Sequence, residues 1–153
     1  MITNEAEHAQ IYANIQLLRF GEKLSVNFAE VPEKYRNLSV PRLIMQPILE
    51  NAFKYALEND TMKGLLHVSF SESAGYFFIT VEDNGKGMDE DTIAHIRDAL
   101  SDLKPEREIS GLINIHRRLK LRFSENSGLR IGIGGLGGLR VDMCIEIPEE
   151  YHV

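Results

Sequence analysis

Residues 139–147 alternate without a break. Leu139, Val141, Met143, Ile145 and Ile147 are apolar, and Arg140, Asp142, Cys144 and Glu146 separate them. A period of two places those five side chains on one face of a β-strand. Such a face must be buried, so the chain has to build a sheet and supply something to cover one side of it. Other segments read as companion strands. Residues 24–28 alternate and are closed by Val31-Pro32. Residues 65–70 and 76–82 are joined at Ser73-Ala74-Gly75, and residues 129–133 precede a glycine-rich turn.

Helical periodicity supplies the cover. Ile11, Ile15, Leu18 and Phe20 fall near helical spacing over residues 5–20, which Gly21 stops. Pro41 predicts a second helix over residues 42–58. Its apolar face is the two runs Ile44/Ile48/Ala52/Ala56 and Met45/Leu49/Phe53. Residues 89–100 carry acidic groups in their first turn, as a helix dipole favours. Residues 101–110 are polar and contain Pro105, which predicts a loop, and residues 111–123 predict a further helix. The order α, β, α, β, β, α, α, β, β gives an α+β fold: a two-layer α/β sandwich with a mixed, mostly antiparallel sheet and helices on one face. At 153 residues, with no repeat or linker, residues 1–153 are expected to form one domain.

Charge and cysteine use narrow the function classes. A net charge of −6, from 17 basic and 23 acidic residues, opposes general nucleic-acid binding. It leaves room for one anionic ligand at a local site. The single cysteine, Cys144, excludes an internal disulfide framework, and its place in a strand favours a core role over a nucleophilic one. No apolar run approaches the ~20 residues of a membrane span. The five histidines, His8, His67, His95, His116 and His152, lack metal-ligand spacing.

Three segments could carry chemistry. On a helix, Pro47, Glu50, Asn51, Lys54 and Glu58 fall opposite the apolar stripe, with Asn51 and Lys54 adjacent. An amide oxygen suits a hard cation such as Mg²⁺, and a neighbouring lysine suits phosphate oxygens. The same pattern is also simply the polar side of an amphipathic helix. Val81 to Met88 ends an apolar strand in Asp83-Asn84-Gly85-Lys86-Gly87. An ionised aspartate only accepts hydrogen bonds, as an exocyclic amine requires, and glycines let backbone approach a flat ring. The same residues form ordinary turns. In the third segment Ser110-Gly111-Leu112 leads into a helix whose free N–H groups suit an anion. A fourth segment, Gly132-Ile133-Gly134-Gly135-Leu136-Gly137, matches G-x-G-x-x-G, but a dinucleotide fingerprint needs a helix next. The alternation that follows makes it a hairpin turn.

Taken together and in this order, Asn51, Asp83-x-Gly85-x-Gly87 and Gly111-Leu112 resemble the N, G1 and G2 boxes of the GHKL ATPase superfamily, which includes gyrase, MutL and sensor histidine kinases. The stretches YANIQLLRF from Tyr12, PRLIMQPILENA from Pro41, VEDNGKGMD from Val81 and GLINIHRRLKL from Gly111 are similar to the catalytic domains of LytS/YesM-type sensor histidine kinases. The resemblance implies a Bergerat fold that binds ATP with Mg²⁺ and transfers the γ-phosphoryl group to a histidine. It implies Asn51 as the Mg²⁺ ligand with Glu50 beside it, and Lys54 and Tyr55 near the phosphates or ribose. Asp83 would hold the adenine amine in a pocket shaped by Gly85, Gly87 and Met88. Residues 101–110 would be a lid, and Gly111 and Leu112 would offer N–H groups to the phosphates.

The sequence departs from the family pattern at three places. Ile109 stands where relatives have glycine, Leu139 where they have threonine, and Pro47 where gyrase-like members have a glutamate base. ATP hydrolysis by activated water is therefore not expected. The phosphoacceptor motif His-Phe-Leu-x-Asn does not occur. The resemblance thus implies the ATP-binding part of a longer sensor: a cytoplasmic domain of a bacterial inner-membrane protein, monomeric in isolation. Its expected partners are a phosphoacceptor (dimerisation) domain and a cognate response regulator, with no nucleic acid and no membrane contact. The alternative is a nucleotide-binding signalling module with weak or no kinase activity. A serine kinase of the anti-sigma type would use the same fold.

Overall fold

The computed structural model describes residues 1–57, 63–85, 90–102 and 110–151. Helix α1 spans Ile2–Phe20 and strand β1 spans Leu24–Phe28. Helix α2 (Gln46–Leu57) leads to the hairpin β2 (Gly64–Ser73) and β3 (Tyr76–Asp83). Helices α3 (Glu90–Asp102) and α4 (Ser110–Arg122) precede the second hairpin, β4 (Gly128–Ile133) and β5 (Leu139–Glu146). The sheet order is β1-β2-β3-β5-β4. Only the β1–β2 pair is parallel, because α2 carries the chain back between them. The other three pairs are antiparallel. This is the mixed two-layer α+β architecture that the sequence predicts.

Alternation sorts the sheet residues. Leu66, Val68, Phe77, Ile79, Val81, Val141, Met143 and Ile145 face the helices and are buried. Ile48, Leu49, Ala52, Phe53 and Ala56 of α2 are buried in the same core. The first hairpin closes through Ala74 and Gly75, both with positive φ (51° and 86°), a two-residue turn whose twist matches that of its strands. Residues 134–138 form the second turn, where Gly134 N–H donates to the Gly138 carbonyl at 2.9 Å. The G-x-G-x-x-G match is therefore a hairpin. Cys144 is buried, and burial pushes its thiol up to about 11, which leaves it inert as a nucleophile near neutral pH.

Four local expectations need correction. First, Pro41 does not open α2. Residues 42–45 form an irregular turn with Leu43 at φ 55°, and the helix begins at Gln46. Pro47 then occupies the first turn, where its missing N–H is not needed. Second, α1 begins at Ile2 rather than residue 5 and buries Ile2, Ala6, Ala9 and Ala13. Its larger side chains Ile11, Ile15 and Leu18 are 57%, 50% and 86% exposed. Small alanines let the helix lie close to its neighbours, and Tyr12 meets Phe53 edge-on, ring centroids 5.5 Å apart. Third, Ser101 and Asp102 continue α3 instead of opening a loop. Fourth, Ser110 already belongs to α4. Residues 103–109, with Ile109, lie outside the described residues.

One histidine ties α4 to β4. The Leu129 N–H donates to His116 Nδ1 at 2.8 Å. Gly128, at φ +146°, makes room for the ring, since a Cβ there would lie 2.5 Å from it. Gly128→Ala is expected to destabilise the fold by roughly 2 kcal/mol in urea unfolding. Burial, with the Lys120 ammonium nearby, pushes the imidazole below its ordinary value, so the neutral ring is the folded form. The stability tied to this contact is present above about pH 6.5, the unfolded value, and is lost as pH falls through the lowered folded value. The melting temperature should drop on acidification, and His116→Gln, an acceptor that does not titrate, should flatten that limb. Parallel acid limbs in the two proteins would assign the loss to another group.

Candidate functional site

Strand β3 ends in a buried carboxylate. Asp83 is 1% exposed, on the helix-facing side after Phe77, Ile79 and Val81. Its Oδ1 accepts two backbone hydrogen bonds, from Gly85 N–H at 2.9 Å and from Leu139 N–H at 3.4 Å. Burial raises the carboxyl above the usual aspartate range, and these two donors draw it partly back. Neighbouring Asn84 locks the turn to β2. Its Oδ1 accepts from Leu65 N–H at 2.7 Å, and its Nδ2 donates to the Lys63 carbonyl at 2.9 Å. The backbone of Asn84 adds a bond to the Leu65 carbonyl at 3.2 Å. The side chain thus extends the ladder of β2 and β3 beyond Asp83. The sequence shows Asn84 only as a turn former.

Asn51 on α2, Asp83 at the end of β3 and Leu112 at the start of α4 line one pocket. They arrive there from three separate elements. Ile48, Ala52, Val81, Leu139 and Val141 complete the lining. In the sequence, Ile48, Ala52, Leu139 and Val141 stand on apolar faces expected to be buried, and Val81 precedes the Asp83 turn. The cavity is narrow, about 10 Å³, room for a single water. Leu112 and Leu139 are both buried there.

The remaining predicted residues divide. Glu50 and Lys54 lie exposed on the same side of α2 as Asn51, outside the pocket lining. Gln46 Nε2 donates to Glu50 Oε1 at 3.1 Å. Gly85 contributes its N–H to Asp83. Gly111 is exposed in the first turn of α4, where backbone N–H groups lack intrahelical partners and a Cβ would meet nothing within 4 Å. Tyr55 is helical, and nothing further is described of its side chain. Gly87 and Met88 lie outside the described residues. A larger cavity of about 800 Å³ opens between α3, α4 and β4, lined among others by Arg97, His116 and Lys120. None of the described site residues that the sequence predicts borders it. Among the described residues, no group of three His, Cys, Asp or Glu converges as a metal site.

The family described as histidine kinase-, DNA gyrase B- and HSP90-like ATPases matches residues 38–144. The chain belongs to this family. The match takes in Asn51, Asp83 and Leu112, all three converging elements. Among relatives, the sensor histidine kinase YesM of Bacillus subtilis (strain 168) is 34% identical over 149 residues, 97% of this chain and 24% of YesM. The sensor histidine kinase YpdA of Escherichia coli (strain K12) is 32% identical over 129 residues, 84% of this chain and 22% of YpdA. The chain therefore spans about a quarter of the length of these relatives. The fold is that of the ATP binding domain of PrrB from Mycobacterium tuberculosis, with a TM-score of 0.61 at 18% identity, covering 97% of this chain and 95% of that one. The catalytic domain of histidine kinase ThkA superposes with a TM-score of 0.66 at 12% identity, covering 98% and 95%.

Gly138 keeps the carboxylate of this ATPase domain in place. A Cβ there would lie 2.3 Å from Asp83 Oδ1, 2.5 Å from the Asp83 carbonyl and 2.8 Å from the Gly85 nitrogen. These neighbours are backbone or a bonded carboxylate and cannot easily yield. Gly138→Ala is expected to cost about 2 kcal/mol in urea unfolding. Gly135→Ala, where a Cβ meets nothing within 4 Å, should leave the transition midpoint unchanged. Equal effects of the two would show that Asp83 is not confined by this glycine.

Proposed function

We propose that this chain is the ATP-binding catalytic domain of a two-component sensor histidine kinase, which transfers the γ-phosphoryl group of ATP to a histidine on a phosphoacceptor domain. The observation that carries the reading is the convergence of Asn51, Asp83 and Leu112 on one pocket. Asp83 Oδ1 is taken by two backbone donors, so the other carboxylate oxygen accepts the adenine amine. Gly85, Gly87 and Met88 shape the adenine side. Gly111 and Leu112 offer first-turn N–H groups to the phosphates. Lys54 and Tyr55 serve the phosphates or ribose, and Glu50 flanks Asn51.

The donor set suits Mg²⁺. The Asn51 amide oxygen is a hard ligand, and Mg²⁺ commonly takes one or two protein oxygens together with waters and substrate phosphates. Held by Asn51, the ion would supply charge neutralisation to the phosphates. The protein's own residues orient the nucleotide; the acceptor imidazole nitrogen attacks phosphorus and ADP departs with the bonding electrons. Such transfer depends on placement and charge neutralisation, so the site needs no side-chain nucleophile of its own. Partners under this reading are the phosphoacceptor domain and a response regulator, and the domain acts on the cytoplasmic side of a membrane sensor as a monomer. Residues 1–153 act as one domain. Among the described residues no helix is long and apolar enough to cross a membrane.

One feature favours a second reading, a nucleotide-binding module with little transfer. Leu139 puts a bulky apolar side chain into the pocket beside Asp83. Replacing it with threonine separates the readings. Under the kinase reading Leu139→Thr brings no gain in affinity or transfer. A large gain in both binding and transfer would show that the native pocket is impaired.

Calorimetric titration with ADP and a non-hydrolysable ATP analogue, each with Mg²⁺, tests the adenine site. Asp83→Asn should weaken binding roughly thirtyfold, the worth of a hydrogen bond to a charged group. Binding should also fall on acidification through the raised Asp83 value, because the ionised form is the acceptor. The stability linked to Asp83 runs the other way: burial favours the neutral acid, so that contribution is lost as pH rises through the same value. Mixing the chain with a separately made phosphoacceptor domain and Mg·ATP should yield phosphohistidine. Nucleotide binding without any phosphohistidine would leave the second reading standing alone.

A further inference from the structure

The turn before α2 contains a peptide held from two sides. The Leu43 N–H donates to Glu5 Oε1 of α1 at 2.8 Å. The carbonyl of the same peptide unit, that of Arg42, accepts from the Arg118 guanidinium of α4. The peptide is trans, so its N–H and C=O point in opposite directions, one toward each helix. Glu5 is a buried carboxylate on an otherwise apolar helix face, beside Ile2, Ala6 and Ala9. Leu43 lies at φ 55°, the left-handed region that a leucine rarely adopts. Nothing local favours that conformation: the segment is Pro41-Arg42-Leu43-Ile44, with no glycine, asparagine or aspartate. Two long-range hydrogen bonds impose it.

The consequence reaches the pocket along the chain. Ile44 and Met45 follow directly and are fully buried. The first helical bond of α2 runs from Leu49 N–H to the Met45 carbonyl. The orientation of the 42–43 peptide therefore sets where α2 starts and which way Asn51, in its second turn, faces. Arg118 sits on the same helix as Leu112, the opposite wall of the pocket. The held peptide thus fixes the two walls relative to each other. If it flips, Leu43 returns to negative φ and both bonds are lost.

We infer that Glu5 and Arg118 are positioning residues for the nucleotide site, which hold the Arg42–Leu43 peptide and thereby aim Asn51. The inference rests on the proposed function, in which Asn51 meets the metal on the phosphates. It separates two parts of nucleotide affinity. The adenine end depends on Asp83 and β3, which the clamp does not touch. The metal-dependent gain depends on Asn51.

The test is calorimetric titration of ADP with Mg²⁺ and with EDTA, on the chain and its variants, alongside melting curves. Glu5→Ala and Arg118→Ala should each cut the Mg²⁺-dependent gain in affinity about fivefold, the worth of one hydrogen bond, and leave Mg²⁺-free affinity unchanged. Glu5→Gln keeps the acceptor oxygen and should restore most of the gain. Glycine adopts φ 55° without strain, so in a Leu43→Gly background the Glu5→Ala loss should shrink. Arg118 and Leu43 are not buried, so their variants report even if Glu5→Ala fails to fold. An equal loss with and without Mg²⁺, or a fall in melting temperature alone, would make the clamp a structural tie and overturn the inference. So would an undiminished Glu5→Ala loss in the glycine background. If the unaltered chain bound Mg·ADP with no gain over EDTA, the inference would fail while adenine binding stood. Failure to bind ADP under either condition would overturn the proposed function as well.

Discussion

Everything in the pocket is arranged around a carboxylate that the fold has taken out of water. Burying an ionisable group is costly unless hydrogen bonds replace its hydration. Asp83 receives them from backbone alone, Gly85 ahead of it and Leu139 on the adjacent strand. The arrangement requires β5 to lie beside β3. It requires Gly138 to be bare, because any Cβ would collide with the carboxylate it is meant to shelter. It also requires Asn84 to hold the turn against β2. Two backbone donors thus commit Oδ1 of this buried acceptor to the protein.

The far edge of the sheet is handled by side chains in place of ligand chemistry. β4 is an edge strand, and unpaired edge groups invite association with another strand. Here Leu129 N–H is taken by His116, and the Ile131 carbonyl is taken by Arg97 Nε and Nη2 at 2.9 and 2.5 Å. Both caps come from helices that pack on the edge, so one set of contacts docks α3 and α4 and blunts the strand. His116 can do this only as a neutral acceptor, which explains why a histidine on a buried helix face is structural here.

What the sequence discloses follows from the range of the forces involved. Strands are legible because one face of each is buried and the period of two survives in Leu139 to Ile147. The polar side of α2 is legible because Glu50, Asn51 and Lys54 remain in solvent. The packing face of α1 is not, because alanines make the contact and the larger Ile11, Ile15 and Leu18 point away. A hydrophobicity scale weights the wrong side. The start of α2 is hidden for a different reason: Pro41 is a legitimate helix opener, and the left-handed Leu43 that cancels it is dictated by residues 38 positions before and about twice that distance after it. The apolar pocket walls Ile48, Val81 and Val141 carry no signal of their own, since a side chain lining a nucleotide pocket and one filling a core obey the same pattern.

The narrowness of the pocket ties these parts together. Asn51, Asp83, Leu112 and Leu139 border one narrow space of about 10 Å³. β5 is held on both sides by ladders, so Leu139 has little freedom beyond its rotamer. Leu112 is in the first turn of α4, which has fewer restraints than a strand between two neighbours. That helix cannot move as if alone, because Arg118 holds the peptide that leads into α2 and Glu5 holds the same peptide from α1. The start of α2, and with it Asn51, is in this way tied to α1 and α4 through one peptide plane, while Asp83 keeps its own backbone donors from Gly85 and Leu139.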